Sequence, residues 1–459
     1  MLEQLSVLGW WALAHSVSAV SVLLALAITM RARVDRRAPA STWAWILVIL
    51  FVPYLGVVLF ATLAGRKVRR GVSKRFVPPQ KLGDARTPAQ RLLWHTGHPD
   101  SCDGNLLTLL ATGEAAYAEM TSLIDRAQDT ISISTFVLGN DEVGRTLVER
   151  LAARARQGVT VRLMLDGVGS VGTDRKVLKQ LTDAGGKLVW FMPVFRMSPG
   201  RTNLRNHRKI LLCDDVAVVG GMNLAHEYIG PTPAADRWCD LSVRIEGPLV
   251  PQITRVFEAD WAYATQTTAP VVSESNATLG TSELQFIAGG PDQAADPLYD
   301  ALLTSMYVAE DRVWLATPYL IPDDGVFHAL ILAARRGVDV QILLPLRSNH
   351  RLADVARGTY VRDLIEQGVK FQWYSGPMMH AKCMLFDQTL ASIGSANLDI
   401  RSLFLNYEAA TFIYDAESIS AVADWFELQF EAAKSQSPLK NGFVWQLGES
   451  FARLLSPML

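Results

Sequence analysis

The feature that most constrains this chain is a pattern it carries twice. His207-Arg-Lys209-Ile-Leu-Leu-Cys-Asp214 leads into Gly220-Gly221-Met-Asn223, and His380-Ala-Lys382-Cys-Met-Leu-Phe-Asp387 leads into Gly394-Ser395-Ala-Asn397. The surrounding residues repeat as well. Ala152-Ala-Arg-Ala-Arg-Gln-Gly158 precedes an apolar run at Val159–Leu165, and Ala333-Ala-Arg-Arg-Gly337 precedes Val338–Leu344. Gly185-Gly-Lys-Leu-Val-Trp-Phe191 matches Gly368-Val-Lys-Phe-Gln-Trp-Tyr374. A helical stretch, a glycine stop and a β-rich apolar run form the signature of a βαβ unit. The chain is therefore read as two similar α/β lobes of mixed sheet flanked by helices, packed about a pseudo-twofold. They occupy about 104–262 and 283–434, with a Thr/Ser/Ala/Pro-rich connector at 263–282 and a tail at 435–459.

On an extended strand, residues two apart share a face. Each His therefore projects with its Lys, and the Gly-x-x-Asn turn returns a side-chain amide and backbone N–H groups towards them. This set suits substitution at a phosphodiester, whose negative charge repels nucleophiles. Lys209 and Lys382, with Asn223 and Asn397, can hold the non-bridging oxygens. One imidazole can attack phosphorus while the other, protonated, serves the leaving alkoxide. With lysines supplying the charge, neither a metal nor a cofactor is expected. Each imidazole needs an acceptor on its second nitrogen, and each repeat offers one ahead of an apolar strand: Asp240 and Glu408. The first motif has Gly221 where the second has Ser395, one phosphate-facing hydroxyl instead of two. It also has five residues between Asp214 and Gly220 against six between Asp387 and Gly394, a shortened hairpin that could shift Asn223.

The N-terminal region is of a different kind. No Asp, Glu, Lys or Arg occurs between Gln4 and Met30, nor between Ala38 and Gly65. Each run exceeds the roughly 20 residues that cross a bilayer as a helix. Residues 1–65 are thus expected to form a two-helix transmembrane hairpin, with spans at about 5–30 and 40–63 and a basic linker at 66–103. Residues 1–75 carry a net charge of +8 and the remainder −9. A basic head on an acidic body fits an anionic membrane surface and argues against coating nucleic acid. The six cations after the second span, with four cysteines in no CxxC pair, favour a cytoplasmic body.

The paired motifs resemble the HKD signature of the phospholipase D superfamily, and with the two spans the chain is similar over nearly its whole length to bacterial cardiolipin synthases. Further matching segments are Thr317-Pro-Tyr-Leu-Ile-Pro-Asp323 and Asn397-Leu-Asp-Ile-Arg-Ser-Leu-Phe-Leu-Asn406. The resemblance implies two phospholipase D-type lobes in a multi-pass protein of the bacterial inner membrane. It places Asp214 and Asp387 in the catalytic set with the His and Lys residues, and gives His207 the nucleophile's role and His380 the acid/base role. The implied reaction takes a phosphatidyl group from phosphatidylglycerol through a phosphohistidine to a second phosphatidylglycerol, releasing glycerol. A hydrolytic phospholipase D, an anchored nuclease and a non-catalytic lipid scaffold are the competing readings. The sequence assigns no oligomeric state.

Overall fold

The computed structural model describes residues 86–193 and 204–434 apart from 276 and 294, together with 39–52 and isolated positions before 57 and after 440. The chain divides into an N-terminal unit and a larger unit carrying both motifs. In the first, an uncharged helix spans Pro39–Phe51, about 20 Å at 1.5 Å per residue. Among the described residues no helix is long and apolar enough to cross a membrane. Beyond that helix only isolated helical positions of the expected spans at 5–30 and 40–63, such as 9–11 and 22–24, are among the described residues, so the multi-pass arrangement has no support there.

In the larger unit the first half supplies β1 (Cys102–Leu110), β2 (Thr130–Thr135), β3 (Thr160–Asp166), β4 (Lys187–Phe191), β5 (Ile210–Cys213), β6 (Val216–Gly220) and β7 (Ser242–Glu246). The second supplies β8 (Ser282–Gly289), β9 (Arg312–Ala316), β10 (Leu320–Ile321), β11 (Asp339–Pro345), β12 (Lys370–Tyr374), β13 (Cys383–Phe386), β14 (Leu390–Gly394), β15 (Leu398–Asp399) and β16 (Glu408–Ile413). The halves run in the orders β1-β7-β6-β5-β2-β3-β4 and β8-β16-β14-β13-β9-β11-β12. These are the same topology, and the sequence repeat is its cause. Gly158 and Gly337, then Gly185 and Gly368, all end helices with φ between +91° and +94°, where an L side chain would be strained.

The lobes do not own separate sheets. Antiparallel pairing of β1 with β8 joins them into one sheet of 14 strands. In each half one face is covered by that half's own helices. The other face belongs to a shared core, in which Phe191, Leu212 and Ile253 pack in one cluster with Leu343, Met379 and Phe426. Helices Val250–Thr265 and Ala416–Ala432 follow β7 and β16 in equivalent places and contribute to that core. Burying this much apolar surface between the halves explains why neither is an independent module.

Part of the stretch read as a linker is folded. Pro88–His95 is a helix with a Thr87/Gln90 capping box, and its Ala89 and Leu93 are buried in the second half's core. In the C-terminal tail, Glu449 is buried and bound by Arg362 at 2.9 Å.

Candidate active site

Each His–Lys pair is delivered by a hairpin. The apolar tetrads Ile210–Cys213 and Cys383–Phe386 are fully buried strands, which pair antiparallel with β6 and β14. The first hairpin closes through the two residues Asp214-Asp215 and the second through the three residues Asp387-Gln-Thr389. Ile210 pairs with Val219 and Cys383 with Ile393, so Lys209 lies opposite Gly220 as Lys382 lies opposite Gly394. The one-residue difference is thus absorbed at the turn and does not shift Asn223, contrary to the expectation.

Asp214 and Asp387 do not join the cluster. They stand at the far end of each hairpin with φ +48° and +51°. Asp214 accepts N–H bonds from Gln128 (2.7 Å), Asp129 (3.0 Å) and Thr130 (2.8 Å). Asp387 accepts from Glu310 (3.0 Å), Asp311 (2.8 Å) and Arg312 (2.9 Å). Burial works to raise the Asp214 carboxyl, and the three N–H groups outweigh it, holding it below its ordinary value. Both aspartates tie a hairpin to the loop before the strand beside it. That is a structural task, and it corrects their placement among the catalytic groups.

The two orienting carboxylates cross between the halves. His207 Nδ1 faces Glu408 Oε2 at 3.0 Å and the Ser395 carbonyl at 3.1 Å. His380 Nδ1 faces Asp240 Oδ2 at 2.6 Å. Backbone bonds cross in the same sense: His207 N–H donates to the Tyr407 carbonyl (2.9 Å) and His380 N–H to the Cys239 carbonyl (2.7 Å). At His207 both Nδ1 partners are acceptors, which favours the proton there and leaves Nε2 its lone pair. At His380 the Asp240 carboxylate favours the same tautomer, with Lys382 Nζ also 2.7 Å from Nδ1 and 3.2 Å from Nε2. Glu408 is held on both oxygens, by Asn406 Nδ2 at 3.2 Å and by the Ser395 hydroxyl. Ser395 therefore supports a carboxylate and does not present its hydroxyl to phosphate, a second correction. Its counterpart must be glycine, because a Cβ on Gly221 would lie 2.1 Å from Asp240 Oδ1.

The electrostatics follow from burial. Burial pushes the His207 imidazolium down against the pull of Glu408. His380 is pushed down to about 3, by burial and then by the adjacent Lys382. Lys209 falls to about 7 and Lys382 to about 8, burial being the main cause in each. Burial also works to raise Glu408, but His207, Lys209 and the Ser395 hydroxyl hold it below its ordinary value. Both lysines act on each imidazole, so the two motifs share one field. Burial thus disfavours the charged form of both imidazoles and of both lysines, where the sequence reading has one imidazole protonated. Among the described residues no group of three or more His, Cys, Asp or Glu side chains could hold a metal ion.

Asn223 is buried and accepts from the Val137 N–H at 3.1 Å, which fixes its amide. Asn397 is buried on the other side, within reach of Asp399. Sequence reasoning missed the aromatic walls. Phe136 meets the His207 ring edge-on at 5.1 Å, and Tyr228 and Trp238 lie 5.0 and 5.2 Å from the His380 ring. Trp238, two residues before Asp240, could have been read from strand alternation. Phe136 and Tyr228 carry no such signal. Also unforeseen is Arg208, buried between Asp260 (2.5 Å) and the carbonyls of Glu408 (3.0 Å) and Gly289 (2.8 Å).

Comparison with known proteins bears on this constellation. The family described as "Cardiolipin synthase, PLD-like domain" matches residues 120–261 and 302–429, and the one described as "Phospholipase D-nuclease N-terminal" matches 19–64. A cardiolipin synthase of Geobacillus kaustophilus is 32% identical, the alignment covering 98% of this chain and 94% of that one. The major cardiolipin synthase of Bacillus subtilis is 29% identical over 96% of this chain and 97% of its own. Among solved structures, a phosphatidylserine synthase of Haemophilus influenzae aligns with a TM-score of 0.62 at 14% identity, covering 77% of this chain and 95% of that one. That likeness speaks for the fold alone.

Proposed function

The chain belongs to the cardiolipin synthase family of the phospholipase D superfamily, and from that premise we propose that it joins two phosphatidylglycerol molecules into cardiolipin with release of glycerol. The observation that carries the mechanism is the crossed pair of Nδ1–carboxylate contacts, which points each Nε2 lone pair at chemistry. His207 Nε2 attacks the phosphorus of the first lipid, and the bond from phosphorus to the glycerol oxygen breaks. His380 protonates that oxygen, and Lys209 and Lys382 hold the non-bridging oxygens as charge develops. The terminal hydroxyl of the second lipid then gives its proton to His380 and attacks the phosphohistidine. That step releases His207 and forms cardiolipin.

Burial and Lys382 hold His380 near 3, so in this reading it takes up a proton from water as the substrate binds. An anionic phosphodiester opposes the field of the lysines and raises the proton affinity of every nearby base. Asn223 and Asn397 complete the cradle. In this reading the apolar N-terminal runs hold the body at the inner membrane with its mouth on the cytoplasmic side. The two halves act as one catalytic unit.

Labelled phosphatidylglycerol in vesicles tests the proposal. Mass analysis should find cardiolipin and glycerol in equal amounts, and His207→Ala and His380→Ala should each abolish both. Phosphatidic acid as the main product would replace transfer by hydrolysis.

A further inference from the structure

The His–Lys ends of both hairpins lie at the C-terminal ends of the parallel strands, since Ser134 of β2 pairs with Ile210 and Ala316 of β9 pairs with Cys383. The loops leaving β3 and β11 therefore flank one mouth in pseudo-equivalent positions. The first is tied to the wall beside His207: Ser170 Oγ donates to the Phe136 carbonyl (2.8 Å) and accepts from the Leu138 N–H (3.0 Å), and Thr173 Oγ1 donates to the Leu138 carbonyl (2.6 Å). The second is tied to the loop after β9, where Tyr319 donates to Asn349 and its ring meets His350 at 5.7 Å.

Each loop, with the first turn of the helix that follows it (Arg175–Asp183 or Arg351–Glu366), presents aliphatic side chains to solvent beside cations. Val168 and Val171 are 43% and 68% exposed, and Leu352 is 59% exposed. Arg175 and Lys176 follow Val171, Arg351 precedes Leu352, and all three are exposed. The neighbouring acids are already engaged: Asp174 caps the Lys176 N–H, and Asp354 accepts from the Ser348 N–H and pairs with Arg357. Such a local pattern stands out on a body whose residues from 76 onward carry a net charge of −9. Apolar tips that enter the headgroup region, flanked by cations that meet phosphates, are what an anionic lipid surface selects.

We propose that these two loops and the first turns of the helices after them form a membrane-contacting rim that seats the mouth of the site on an anionic bilayer, so that lipid headgroups enter without crossing bulk water. The rim rests on the reading of the substrate as a phospholipid and extends it to a surface. It also gives that reading a physical route to transfer over hydrolysis, because a mouth closed against lipid admits a lipid hydroxyl in preference to water.

The test uses the full chain in phosphatidylglycerol vesicles, with a fluorophore attached through Val171→Cys or Leu352→Cys. The control is Leu279→Cys, an exposed site whose N–H bonds the Gly104 carbonyl near the start of the central strand β1. That is the end away from the mouth, where Leu110 pairs with Ser242 beside Gly220. A nitroxide carried on the lipid should quench both rim labels severalfold more than the control. Equal quenching at all three positions overturns the rim. Label-to-label energy transfer that rises with protein concentration, without lipid quenching, assigns the face to a second copy and also overturns it.

In parallel, Arg175→Glu with Arg351→Glu should lower turnover of vesicle phosphatidylglycerol about tenfold. Turnover of a short-chain, monodisperse phosphatidylglycerol should change less than about twofold, because that substrate needs no surface. Equal losses on both substrates, or no loss on either, refute the rim. A wild-type chain that transfers phosphatidyl groups from neither substrate would refute the enzymatic reading, and the quenching result would still decide the rim.

Discussion

At the residue scale, the two halves solve one problem with different side chains. A carboxylate must reach Nδ1 of the histidine in the opposite half. Glu408 does so with a serine beside it, whereas the shorter Asp240 does so with a glycine beside it. A Cβ at position 221 would collide with Asp240 Oδ1, whereas the Ser395 side chain has room to donate to Glu408, and this explains why Gly221 and Ser395 differ. Gly221→Ala should push Asp240 off His380, and displacement of a catalytic group by about 1 Å costs about a hundredfold in rate. Ser395→Ala removes one hydrogen bond from Glu408 and should cost only about tenfold. Turnover of both variants checks this, and equal losses would contradict the size argument. Asp240 and Glu408 were legible in the sequence as candidates because each precedes an apolar strand. Which histidine each serves was not, since strand order inside a lobe does not say whose edge faces whom.

At the element scale, the hairpin is a rigid arm with its chemistry at one end and its anchor at the other. If Asp387 is an anchor, Asp387→Ala should lower stability by roughly 1–3 kcal/mol through three lost N–H acceptances. The kcat of the folded fraction should fall less than about threefold, since the substitution touches no group that meets substrate. Thermal unfolding and active-site-normalised kinetics separate the two effects, and a collapse of kcat without loss of stability would return Asp387 to the catalytic set. Inserting one residue between Asp214 and Asp215 should likewise be tolerated with little change in turnover, because the second half already accommodates that length. The sequence displayed both aspartates and both turn lengths. It did not show that the aspartates point away from the histidines, which follows from four extended residues placed between Lys and Asp.

At the scale of the molecule, the site stores charge in a place that disfavours it. Lys209 and Lys382 lie near 7 and 8 in the folded protein, pushed there mainly by burial, against about 10.4 in an unfolded chain. Between those values the unfolded state binds more protons, so stability should rise as pH increases from about 7 towards 10. His380, pushed to about 3, acts in the same direction: its contribution is complete above about 6.5 and is lost as pH falls towards 3. Chemical denaturation of the ligand-free protein at pH 7 and 9.5 measures the slope. Lys382→Met should flatten it and raise stability at pH 7 by on the order of 3 kcal/mol. An unchanged slope would show that Lys382 keeps its ordinary affinity for protons. Binding of an anionic substrate analogue should weaken over the same rise in pH, as the lysines lose the charge that attracts it.

The repeat, the His–Lys pairs and the glycine stops were all present in the linear sequence, because strand alternation and helix termination are local and each copy carries its own evidence. The joining of two lobes into one sheet through β1 and β8, the crossed carboxylates, the supporting role of Ser395 and the retreat of Asp214 and Asp387 were decided by tertiary structure. The first three depend on which strand edges meet across a duplicated scaffold, a non-local choice made by the shared core between the halves, and the fourth on which loop lies beside the far end of each hairpin within its own half.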